Sequence, residues 1–266
     1  MRTPFWRSVV GIFAALTLAV TACGSGDGSG NGGANSGGDR GTTDTGVEPA
    51  LQLASSVEVL AEESFKVEMS MGEFLTATGA VDGPRHAARI AMSTGMEGQS
   101  LDVEMIVTEA DMWMNMGDLS FLLGVEAPWM HLDTSRLGGE GFMGVKPGEV
   151  DFAGTAEMME ALGDVERVDD TTFRGEIDLT RAGDTVLDEQ MLAGQTTLRF
   201  TATLDSQGRL TEMRVDFPEM EGLQADALVV RYYDFGQPVD ISPPPADQVG
   251  EAPEELYQML GMFGSS

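Results

Sequence analysis

The sequence predicts an α+β domain: a curved antiparallel sheet of about ten strands whose open face is covered by helices. Three observations carry this. Apolar and polar residues alternate with period two along most of the chain after residue 46, as in strands buried on one face and wet on the other. Helical periodicity is confined to a few short stretches, one of them inserted midway between runs of strands. The roughly 220 residues after position 46 suffice for one sizeable core.

The elements follow in order. Residues 1–22 carry Arg2 and Arg7 and no acid, with an uncharged apolar stretch from Ser8 to Ala22. A basic segment followed by a short apolar one reads as a secretory signal, and it falls short of the ~20 residues that a spanning helix needs. Val20-Thr21-Ala22-Cys23 fits the bacterial lipobox, and that resemblance implies a diacylglyceryl thioether on Cys23. Cys23 is the single cysteine of the chain, so it has no disulfide partner, and anchoring is its natural use. Two or three acyl chains hold a protein to a bilayer far better than one. Residues 23–46 form the lipidated cysteine and a Gly-rich tether with almost nothing apolar to bury. Asp27, Ser29 and Asn31 stand at the alternate positions of a calcium loop, but its closing glutamate would fall on Gly38. No metal site is expected, and no cofactor.

The predicted folded domain covers 47–249. Its strands include "SFKVEMSM", with Phe65, Val67, Met69 and Met71 on one face, and "LDVEMIV", with Leu101, Val103, Met105 and Val107. In "DMWMNMG", Met112, Met114 and Met116 oppose Trp113 and Asn115. Later come "TFRGEIDLT", "TLRFTATL", "MRVDF" and "LVVRYYDF". A turn at Ser206–Gly208 makes a hairpin of 196–205 with 209–217. Helices are expected at 49–63, at 149–163 with Phe152, Ala156, Met159 and Leu162 on one face and Gly163 as C-cap, at 184–192, and at 253–263 in a C-terminal segment, 250–266.

Composition excludes several function classes. Removal of residues 1–22 leaves 13 basic against 44 acidic side chains, a formal charge of −31. Such a surface repels nucleic acid and anionic head groups. The two histidines, His86 and His131, lie 45 residues apart, and no HExxH, CxxC, GxSxG or P-loop occurs. No nucleophile–base pair stands out, and the chain is not expected to be an enzyme. The 18 methionines are the unusual feature. Met is unbranched and polarizable and fills irregular gaps, which fits either a close-packed core or an expandable cavity between sheet and helices.

Several pieces, in order, resemble the LppX/LprAFG family of actinobacterial lipoproteins. They are "SFKVEMSM", "DMWMNMG" followed by "APWMHLD" (127–133), "FRGEIDLT" (173–180), "LDSQGRLTEMRVDF" (204–217) and "LVVRYYDFGQPVDISPPPADQV" (228–249). The resemblance implies a LolA/LolB-like half-barrel sheet enclosing a hydrophobic cavity that binds lipid or lipoglycan acyl chains. Its lining would come from Phe65, Val67, Met69, Leu101, Val103, Met105, Met112, Met114, Met116, Phe152 and Met159. The expected protein is an exported lipoprotein, anchored through Cys23 to the outer face of the cell membrane, that binds and transports acyl-chain lipids. The alternative is a surface-displayed interaction or sensor module without a lipid ligand. Cys23→Ala should abolish acylation and release the protein from membranes, as metabolic labelling with a clickable fatty acid and fractionation would show; a labelled, membrane-bound variant contradicts the anchor.

Overall fold

A computed structural model describes residues 44–45, 47–96, 99–117, 119–136, 145–146, 149–150, 155–181, 195–218 and 226–263. Cys23, the signal and most of the tether lie outside the described residues, as do Phe152 and the helix expected at 184–192. Thr42–Ser266 forms one compact unit.

Strand β1 (Asp44–Thr45) and helix α1 (Val47–Leu60) lead into a meander of β2 (Ser64–Met71), β3 (Leu75–Asp82), β4 (Ala87–Met96), β5 (Gln99–Val107) and β6 (Met112–Asn115). A short helix α2 (Leu119–Leu122) precedes β7 (Trp129–Leu132). The two-residue strands β8 (Val145–Lys146) and β9 (Glu149–Val150) pair with each other, and α3 (Thr155–Glu160) follows. A second meander comprises β10 (Leu162–Arg167), β11 (Thr172–Asp178), β12 (Thr197–Leu204), β13 (Leu210–Asp216) and β14 (Ala227–Tyr233). β15 (Val249–Glu251) and α4 (Glu254–Phe263) close the chain.

Thirteen strands form one curved, open sheet in the order β1-β10-β11-β12-β13-β14-β2-β3-β4-β5-β6-β7-β15. Every pairing is antiparallel except β15 on β7. The expected count of about ten is too low because strands of two to four residues, such as β1 and β15, are too short to show alternation. The last long strand meets the first: β14 pairs with β2 from Leu228↔Met71 to Tyr233↔Lys66, and Lys66 Nζ reaches Asp234 Oδ2 at 2.8 Å.

Helix α1 starts beside β10, where Gln52 accepts a bond from Arg167, and delivers the chain to β2. Its 14 residues span about 21 Å, close to the ~24 Å that separate strands five positions apart. It therefore lies across β10–β14, touching β10, β13 and α3 and burying Leu53 and Leu60. After β14 the chain crosses the polar face of the sheet. There Ile241 is buried with Ala87, Ile106 and Trp129, and Val239 and Trp113 pack against them. β15 then adds to the β7 edge, Ala252 N–H donates to His131 O at 3.0 Å, and α4 places Leu256 and Leu260 in the main apolar cluster. The tail thus wraps the β7 edge, touching both faces.

The helix expected over 149–163 is corrected to α3, Thr155–Glu160; Glu149–Val150 pairs as a strand and Gly163 is a strand residue, not a C-cap. Pairing with β11 outweighs local helical spacing here, because it gives Leu162–Arg167 backbone partners and buries Leu162 and Val165. A register shift between Leu162 and Val165 interrupts the alternation that would have revealed the strand. At Gly175 a Cβ would fall 2.4 Å from Asp164 O and 2.9 Å from the Phe200 ring, so a side chain there would collide with the β10 backbone and the position needs glycine.

Candidate functional site: the methionine face of the sheet

Alternation turns one face of each strand inward. Phe65, Val67, Met69 and Met71 of β2 are buried, as are Val103, Met105 and Val107 of β5 and Met112 and Met114 of β6, with Met116 just beyond. Register aligns them in rows across the sheet. One row runs Met69↔Ala77↔Met92↔Val103, and another runs Val67↔Gly79↔Ile90↔Met105↔Met114↔Met130. Leu101, only half-buried, packs against the same cluster, and Met159 joins it from α3. The structure therefore places every described residue of the expected lining in one continuous apolar cluster.

Eleven of the 18 methionines have described side chains, and all eleven belong to this cluster. Their distribution is uneven. Eight lie along β2–β7 (Met69, Met71, Met92, Met105, Met112, Met114, Met116, Met130), two lie in α3, and only Met213 lies on β10–β14. The β10–β14 half is filled instead by Phe173, Phe200, Ile177, Leu198, Val215 and Val230. Branched and aromatic side chains are stiff, whereas methionine turns about three bonds and adapts its shape. Helix α1 sits on the stiff half. Branched and aromatic side chains thus dominate one side of the face and methionine the other.

On the methionine half the face is closed. Val67, Met105, Met112 and Met114 expose 2% or less, while Met69, Val103 and Met116 keep 7–8%. Methionine side chains fill this face, and no cavity opens on it among the described residues. The described concavities, of about 530 and 640 Å³, open on the polar face instead, lined by groups such as Thr76, Asp102 and Asn115 or Glu166, Arg174 and Arg199.

Two features hold the face, one at the β14–β2 junction and one at the β7 edge. Phe65 meets Tyr232 edge-on at 5.7 Å, and Tyr232 Oη lies 2.6 Å from Thr155 Oγ1, tying α3 to β14. At the β7 edge, Asp133 N–H donates to Tyr257 Oη at 2.7 Å. The Arg136 guanidinium lies 3.7 Å above the Tyr257 ring and bonds Glu254. The Ser135 hydroxyl and amide hold the Asp133 carboxyl below its ordinary range, and Glu254 raises Arg136. Pro253 before Glu254 and Glu255 is a favourable helix start, so α4 begins where this latch grips it.

The polar chemistry is structural. His86 closes the 83–85 turn in the left-handed region, at φ 47°, with its N–H on Gly83 O at 3.0 Å. His131 Nε2 lies 2.8 Å from Asp111 Oδ1, and its ring lies 5.7 Å from Trp113. Among the described residues no group of three or more His, Cys, Asp or Glu could hold a metal ion. Trp113, read from alternation as a polar-face residue, is half-covered by the returning tail. Sequence reasoning missed this second cover; the signal was the unbroken apolar triplet Met105-Ile106-Val107.

No family model matches the sequence, and no curated protein matches it. Among solved structures the chain is similar to the crystal structure of LprF from Mycobacterium bovis, with a TM-score of 0.48 and 13% identity, over 76% of this chain and 99% of that one.

Tyr257→Phe removes the acceptor of the Asp133 amide while keeping the ring under Arg136. It should lower stability by about 0.5–1.5 kcal/mol, the net value of one hydrogen bond, as read by urea unfolding; no change would remove the latch from the account.

Proposed function

We propose that the chain is an exported lipoprotein, anchored through Cys23 to the outer face of the cell membrane, that binds the acyl chains of lipids or lipoglycans on its methionine face and carries or holds them within the cell envelope. The observation that carries this reading is the gathering of every described methionine into one cluster, eight of them on the half of the sheet that α1 leaves uncovered. An acyl chain is unbranched, varies in length and presents only CH₂ groups. A wall of unbranched, polarizable side chains suits such a guest better than a jigsaw of Leu and Phe.

No catalysis is required, because the work lies in shielding chains from water. Burying ~14 CH₂ groups is worth on the order of 11 kcal/mol gross at ~0.8 per group. Association and ordering reduce this considerably, leaving binding that is useful yet reversible. The formal charge of −31 on the exported chain disfavours strongly anionic head groups.

A second reading, an interaction module with a filled core, is favoured by the near-zero exposure of Val67, Met105, Met112 and Met114. Bulky substitution separates the two. In a fixed core, Val103→Trp or Met114→Trp overpacks and destabilises by typically 1–3 kcal/mol or more. On an adaptable bed the indole takes the guest's place. Native mass spectrometry of the Cys23→Ala protein purified without detergent should show bound lipid, much reduced by either tryptophan, with melting near that of the parent. A clean apo mass in the parent, or sharp destabilisation at both sites, contradicts the reading.

A further inference from the structure

The loop between β6 and β7 presents a large apolar side chain to solvent. Phe121 is 76% exposed, the highest of the large hydrophobic residues described. Isolated exposed apolar residues are ordinary on protein surfaces; the support behind this one is not. Leu119, Leu123 and Val125, on either side, pack against the main apolar cluster. The loop closes on itself through Gly124 N–H to Phe121 O and Val125 N–H to Ser120 O, both 3.0 Å. Gly117 and Gly124 occupy the left-handed region at φ 54° and 75°, which glycine alone adopts freely. The backbone thus turns Leu119, Leu123 and Val125 inward and holds Phe121 out. Met116, at the end of the methionine face, immediately precedes this loop.

We propose that the β6–β7 loop docks on the lipid bilayer, with Phe121 seated among the acyl chains, and that the methionine face exchanges its guest at this end. The proposal rests on the Cys23 anchor proposed above. Residues 116–128 and the neighbouring 72–74 turn contain no Lys or Arg, while Glu73 and Glu126 are exposed. Attraction to anionic lipid is therefore absent here, and insertion of the ring is the remaining mode of contact.

The tether has the reach. Asp44 pairs with Arg167 at the far edge of the sheet, ten strand spacings from β6, on the order of 48 Å measured along the sheet at ~4.8 Å per strand. A 20-residue chain, the length from 24 to 43, reaches at most ~70 Å, more than that separation. Anchoring also keeps the loop at high effective concentration beside the bilayer, so one inserted ring suffices for a measurable dwell.

The lipidated full chain, reconstituted in vesicles of phosphatidylcholine brominated on its acyl chains, provides the test. Phe121→Trp should show a blue-shifted emission that the bromines quench beyond the quenching of the parent's own tryptophans. The effect should persist in about 0.5 M NaCl, where exposed charges are screened. Leu51→Trp, at an exposed apolar position on α1 near the tethered end, should match the parent. An acylated Phe121→Trp chain with no added quenching overturns the docking and leaves the acyl-binding reading standing. Equal quenching at Leu51→Trp, or quenching lost in salt, overturns it as well. An intact mass without acyl groups overturns the anchor and the docking together.

Discussion

Pairing of β14 with β2, from Leu228↔Met71 to Tyr233↔Lys66, joins two meanders that are each incomplete alone. Without it, β2–β7 and β10–β14 would each present an apolar face with an extra unpaired edge, a template for non-native pairing. With it, thirteen strands share one face. That face is too wide for α1, whose 14 residues cross only the β10–β14 half. The other half must be covered by side chains and by what the tail brings around the β7 edge. The composition of the two halves follows this division: stiff residues lie where a helix presses on them, and methionine lies where no long helix does.

This division links packing to function. Close-packed interiors resist added volume because their side chains have nowhere to turn. The β2–β7 half is buried but built from side chains that retain alternative rotamers of similar shape. Its cover is also peripheral: α4 enters from the sheet edge and is held by a few polar contacts around Tyr257 and Arg136. The proposed function requires such a face to be closed when empty and open when occupied.

Much of the fold was legible in the sequence. Alternation located β2, β5, β6, β11, β12, β13 and β14, and the Ser206–Gly208 turn set the β12–β13 hairpin. Helical spacing with Pro253 and two glutamates marked α4. What was hidden has physical causes. β10 carries a register shift and a glycine, Gly163, at which a Cβ would lie a tight 3.3 Å from Glu176 O, and both erase the period-two signal. The returning tail was hidden because its partners Ile106, Trp113 and Trp129 lie on the face that alternation marks as wet; the Met105-Ile106-Val107 run showed that both faces are covered there. The methionine residues of the site were legible, but their segregation to one half depends on β14 meeting β2, a pairing between chain ends that local pattern does not reveal.

The central claim is that the methionines of β2–β7 form a bed that yields to an acyl guest while the β10–β14 half stays fixed. Selective ¹³C labelling of methionine methyl groups in the Cys23→Ala chain, observed by NMR while a fatty-acyl lipid is added, tests it most directly. The account predicts shifts and changed relaxation at Met92, Met105, Met114 and Met116, with Met213 unmoved. Uniformly small shifts across all of these methyl groups, or a change confined to Met213, would contradict it.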